Sequence, residues 1–96
     1  MRELRLTPEA KVALTSQVDY LVSEGAPRAA ETLLGRVEVF LSTTLLEWPQ
    51  TGRYIPEPGI WETWIPRTRL VAWYVFDDEE LVVVAIWHAS QDRQRR

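Results

Sequence analysis

The chain has 96 residues, 46% hydrophobic and 26% charged, with a net charge of −3 and no cysteine. This is the composition of a folded chain, not a disordered one, and the length suits one domain over 1–96. Without cysteine there is no disulfide scaffold, thiolate metal site or cysteine nucleophile, and a small domain lacking disulfides fits the cytoplasm.

The opening run Met1-Arg2-Glu3-Leu4-Arg5-Leu6 alternates charged and apolar residues and lacks the apolar stretch of a signal peptide. No apolar run approaches the ~20 residues of a membrane span. A soluble, cytosolic protein without a membrane partner is expected. Residues 2–6 read as a short strand with Leu4 and Leu6 on one face. Thr7-Pro8-Glu9 is a helix start: a hydroxyl cap, a proline at the first helical position and a carboxylate near the positive dipole end. Ala10, Leu14, Val18 and Leu21 continue one stripe, predicting a helix over 8–23 that Gly25 ends. Pro27 opens a second helix, with Ala30, Leu33, Leu34, Val37, Leu41 and Leu45 on its apolar face. It runs to Leu46 and stops before Pro49. So short a link makes the pair an antiparallel hairpin.

Residues 49–60 carry Pro49, Gly52, Pro56, Pro58 and Gly59 and read as a loop, with room for an extended piece at Tyr54-Ile55. The periodicity then becomes that of strands, over 61–65, 68–76 and 81–87. Pro66-Arg67 joins the first two, and Asp77-Asp78-Glu79-Glu80 closes a hairpin between the last two. The predicted fold is α+β, order β-α-α-β-β-β. It is a two-layer sandwich with an antiparallel helix hairpin packed on an antiparallel sheet.

Five tryptophans, Trp48, Trp61, Trp64, Trp73 and Trp87, fall in the second half. So small a domain does not easily bury five indoles. At least two belong to the core, and an apolar surface used by a partner is expected from the rest. Every basic residue except Lys11 is arginine. Arginine suits bidentate contact with carboxylate or phosphate, and the same bias follows from a GC-rich genome.

No Gly-rich phosphate loop is present, and one histidine without cysteine makes no zinc site. Asp77 and Asp78 read as a solvated turn, so no metal and no cofactor is expected. A metal-independent nuclease needs a base, an acid and cations for the phosphate charge. The candidates are Arg53, Arg67, Arg69, His88 and Arg93. Arg69 alternates with Val71, Trp73 and Val75 on one sheet face. His88 follows in line with Val82, Val84 and Ile86. An Arg and a His converge if those faces are the same. The plainer reading is that His88 holds the end of the last strand and that the arginines pair with carboxylates. Arg93, Arg95 and Arg96 against Asp92 leave the last five residues at +2, which suits phosphate, an acidic partner or plain solvation.

Four segments in order resemble the RelE/ParE toxin superfamily of type II toxin–antitoxin systems. Leu6-Thr7-Pro8-Glu9-Ala10 is similar to its opening strand and helix start. Trp48-Pro49-Gln50-Thr51-Gly52-Arg53 resembles its P-x-x-G-R segment. Thr68-Arg69-Leu70-Val71-Ala72-Trp73-Tyr74-Val75 resembles its central strand. Ala85-Ile86-Trp87-His88-Ala89-Ser90-Gln91-Asp92-Arg93 resembles its closing strand and tail. The resemblance implies a toxin neutralised by a cognate antitoxin in a hetero-oligomer. Trp61, Trp64, Arg67, Trp73 and Trp87 are candidates for the antitoxin surface, and His88, Gln91, Asp92 and Arg93 form the functional tail. RelE-like members cleave messenger RNA on the ribosome, and ParE-like members are associated with DNA gyrase. Arg69 matches the strand arginine of the RelE-like site, and His88 lies near where some nuclease members place a histidine. The nuclease members usually end in a basic cluster with an aromatic residue. This chain has no Tyr or Phe after Phe76, and its lone lysine lies in the first helix. Those departures favour the ParE-like branch, with DNA gyrase as target. The alternatives are a RelE-like endoribonuclease and a degenerate, non-toxic interaction module.

Overall fold

In the computed structural model, residues 2–91 are described. The chain opens with β1 (Glu3–Leu6) and α1 (Pro8–Ser23). The Thr7 hydroxyl accepts the Ala10 amide at 3.1 Å, as a helix cap should, and donates to the Val84 carbonyl at 3.1 Å. One residue thus caps the helix and ties it to the sheet. Gly25 turns the chain with φ +80, and α2 follows (Pro27–Val39).

The second helix differs from expectation beyond Val39. The chain stays helical, but Phe40–Leu45 winds as a π-helix. Ser42 and Thr43 explain the change. Their hydroxyls donate to the Glu38 and Val39 carbonyls one turn back, competing with the amides for those acceptors. The wider turn still puts Phe40, Leu41 and Leu45 into the core.

A short 3-10 turn (Pro49–Thr51) leads to β2 (Arg53–Ile55), β3 (Ile60–Trp64), β4 (Leu70–Phe76) and β5 (Glu80–His88), which ends in a second 3-10 turn (Ala89–Gln91). The five strands form one sheet in the order β1-β5-β4-β3-β2. Two expectations need correction. The extended piece at Tyr54-Ile55 is a true edge strand paired with β3, so the order is β-α-α-β-β-β-β. The sheet is mixed rather than antiparallel, because β1 runs parallel to β5, Leu4 beside Leu81 and Leu6 beside Val83. Two helices and three strands separate β1 from β5, so no hairpin forces the antiparallel sense on this pair.

Both helices cover one face of the sheet. There Leu70, Ala72, Tyr74, Leu81, Val83 and Ile86 pack with Ala10, Val37, Phe40, Leu41 and Leu45, flanked by Leu4, Leu6, Leu14 and Leu33. Burying each such side chain contributes about 1.5–3 kcal/mol. Trp61 joins this side at the β2 edge, its ring 5.5 Å from Tyr54 and 5.4 Å from Phe76. Val71, Val82 and Trp87 are buried on the opposite face.

A bulge divides β5. Val75 lies opposite Val82 and Tyr74 opposite Val83, but Trp73 lies opposite Ala85, so Val84 is the extra residue. Such an insertion flips the side-chain alternation downstream. Val82 therefore faces away from the helices, whereas Ile86 and His88, opposite Ala72 and Leu70, share the helix-covered face. The expected line of Val82, Val84, Ile86 and His88 is broken by this one residue.

Candidate functional site

The Pro-x-x-Gly-Arg segment and the central strand form one unit. The Tyr74 hydroxyl donates to the Pro49 carbonyl at 2.6 Å and accepts the Gly52 amide at 3.2 Å. Tyr74 is fully buried. Burial pushes its phenol up to about 12, the Gly52 amide offsetting part of the effect. Gly52 is required by space. A Cβ there would stand 2.4 Å from the Tyr74 hydroxyl and 2.5 Å from the Glu62 carbonyl.

That anchor fixes Arg53 at the start of β2, directly opposite Glu62, which in turn lies opposite Trp73. Arg53 Nη2 donates to Glu62 Oε1 at 3.0 Å, and the Trp73 indole N–H donates to Glu62 Oε2 at 2.9 Å. Glu62 is 5% exposed. A carboxylate so deep must be hydrogen-bonded and paired to be tolerated. Trp73 also meets Trp87 edge-on, ring centres 5.0 Å apart. The row Arg53–Glu62–Trp73–Trp87 therefore crosses the face opposite α1 and α2 as a polar and aromatic band.

Arg69 and His88 come together elsewhere. Both line a hollow of about 200 Å³ beside α1, with Gln17, Tyr20 and Leu33. They meet although the expected shared sheet face does not exist, since Arg69 sits at the bend before β4. His88 Nδ1 accepts the Ser90 amide at 3.2 Å and lies 2.8 Å from the Ser90 hydroxyl. The Ala89 amide donates to the Arg69 carbonyl at 2.7 Å, extending the β4–β5 pairing by one step. Arg53 lines a different hollow, of about 370 Å³, with Glu62 and Trp64. Of the five nuclease candidates, Arg69 and His88 share one hollow, Arg53 lines another, Arg67 stands at the β3–β4 turn, and Arg93 lies outside the described residues.

The model of the family described as ParE toxin of the type II toxin–antitoxin system, parDE, matches residues 4–93. The chain belongs to the ParE toxin family. No curated protein sequence matches it. Among solved structures, a chain from the chromosomal ParDE toxin–antitoxin system of P. aeruginosa is similar, with a TM-score of 0.67 and 21% identity. The match covers 92% of this chain and 96% of that one. At that identity the likeness speaks for the shared fold.

Within the ParE frame the five tryptophan and arginine candidates for partner contact have different environments. Trp61 is half-buried in the aromatic cluster, and Trp87 is 3% exposed. Trp73 is half-buried on the band. Trp64 is 62% exposed on the same face as Glu62. Arg67 is exposed at the β3–β4 turn, with φ +60. Of the tail, Asp92 and Arg93 lie outside the described residues, and Gln91 ends the final 3-10 turn. Among the described residues, no group of three or more His, Asp or Glu is placed to hold a metal, and no helix is long and apolar enough to cross a membrane.

Two residues escape a reading of the sequence. Glu62 sits between two tryptophans, Trp61 and Trp64, in what reads as an ordinary strand. Its burial depends on Arg53, Trp73 and the register between three strands. Arg36 is the other. Its guanidinium donates from Nη1 to the Arg67 carbonyl at 2.9 Å, joining α2 to the β3–β4 turn. Only the position of α2 against that turn reveals it.

Proposed function

We propose that this chain is the toxin of a ParDE-type pair, acting in the cytoplasm on DNA gyrase and held inactive in a hetero-oligomer by a cognate antitoxin. Membership of the ParE family over nearly the whole chain is the observation that carries the reading. The site geometry supports it. Arg53 is engaged by a buried carboxylate rather than gathered with Arg69 and His88, so among the described residues the cations a phosphodiester cleavage would need are dispersed.

One observation favours the RelE-like alternative: Arg69 and His88 line the same hollow. The two readings separate by assay. Purified chain should inhibit gyrase supercoiling and leave messenger RNA intact on ribosomes. Ribosome-dependent cleavage that disappears in Arg69→Ala would replace the gyrase reading with the nuclease one. Tight antitoxin binding without growth arrest would mark a non-toxic interaction module.

A further inference from the structure

A groove of about 470 Å³ runs between α2 and the β3–β4 turn. Its apolar wall is Val39, Phe40 and Pro66, and Arg36 and Arg67 stand on it as cations. Among the described residues no carboxylate lines it, in a chain whose net charge is −3. Val39 is 62% exposed there, and Arg67 holds the left-handed backbone that non-glycine residues avoid.

Gly35 makes the groove more than a surface irregularity. It sits inside α2 and lines the groove. A Cβ on it would meet nothing within 4 Å. Its backbone has ordinary helical geometry, so neither packing nor φ demands glycine. A helix-interior glycine is less favourable than alanine. What its missing side chain does provide is clearance beside Val39 and Phe40.

We propose that this groove seats an acidic amphipathic segment of the partner antitoxin. One apolar side chain would enter over Gly35 against Val39 and Phe40, and flanking carboxylates would meet Arg36 and Arg67. The inference rests on the toxin–antitoxin reading above and adds the place and chemistry of contact. Guanidinium groups pair with carboxylates in forked geometry, and charge at a rim chiefly sets association rate and salt dependence.

The test uses the full chain and the product of the adjacent reading frame, with binding kinetics measured at two salt concentrations. Gly35→Ala and Gly35→Leu should raise or preserve the melting temperature, because a Cβ there meets open space and both residues favour the helix over glycine. Gly35→Leu should weaken binding by about tenfold or more, as loss of a central contact does. Arg67→Glu should slow association by about tenfold at low salt, with the deficit shrinking as salt rises. Wild-type affinity in both Gly35→Leu and Arg67→Glu would overturn the groove assignment while leaving the toxin–antitoxin reading intact. No binding by the wild-type chain would overturn both.

Discussion

Tyr74→Phe removes one oxygen from the centre of the molecule and keeps the ring. That oxygen serves two backbone groups, the Pro49 carbonyl at 2.6 Å and the Gly52 amide at 3.2 Å. Pro49 is itself fully buried, so water does not readily replace the lost donor. Stranding a buried polar group costs about 1–3 kcal/mol, and two are affected, the Gly52 amide only half-buried, so a loss of about 2–4 kcal/mol follows. That is a large part of the ~5–15 kcal/mol typical of a domain. In urea the unfolding midpoint should fall by about 2 M at unchanged slope. The Arg53–Glu62 pair should loosen as well, since Gly52 fixes the start of β2, and amide exchange at 53–55 should accelerate. A midpoint within error of wild type would mean that the hydroxyl does not hold the Pro49–Gly52 turn.

Three further outcomes follow from the same geometry. Gly52→Ala should destabilise by about 3 kcal/mol or more, because the new Cβ meets backbone that cannot yield; calorimetry would show a melting temperature lower by about 10–20 °C. Stability should also fall at alkaline pH. The folded-state phenol of Tyr74 titrates at about 12, above its ordinary value, so its contribution is complete below the unfolded value and is lost as pH rises through about 12. The difference in unfolding free energy between wild type and Tyr74→Phe should therefore narrow between pH 10 and pH 12, and a constant difference would contradict the burial argument. Trp73→Phe takes the indole donor from Glu62 Oε2 and should cost about 1–3 kcal/mol; chemical denaturation with unchanged stability would show that the indole bond contributes nothing.

The helices were legible because their ends carry chemistry that acts locally. Thr7-Pro8 and Gly25 mark a helix whose bounds, Pro8–Ser23, agree with expectation, since a cap and a left-handed glycine depend on few neighbours. The two-layer architecture followed from amphipathic helices next to strands. The parallel pairing of β1 with β5 was not legible, because the residues meeting there are far apart in sequence. The bulge at Val84 was hidden for a different reason: nothing in Val82-Val83-Val84-Ala85 marks which residue is extra. That single insertion decides which face His88 shares, and with it where Arg69 and His88 meet. The segment Pro49–Arg53 was visible as a motif, but its purpose was not. Only the buried hydroxyl of Tyr74 and the Glu62 carbonyl beside it show why Gly52 must be glycine. Glu62 stayed hidden because a buried carboxylate and an exposed one look alike in a strand.

A toxin restrained by a partner reveals itself in bacterial growth. The chain should be expressed in bacteria alone and together with the product of the adjacent reading frame, with its folded amount measured in both. Growth should arrest when the chain is alone and recover when the two are expressed together, at equal amounts of folded chain. Normal growth with abundant folded chain and no partner would contradict the toxin reading.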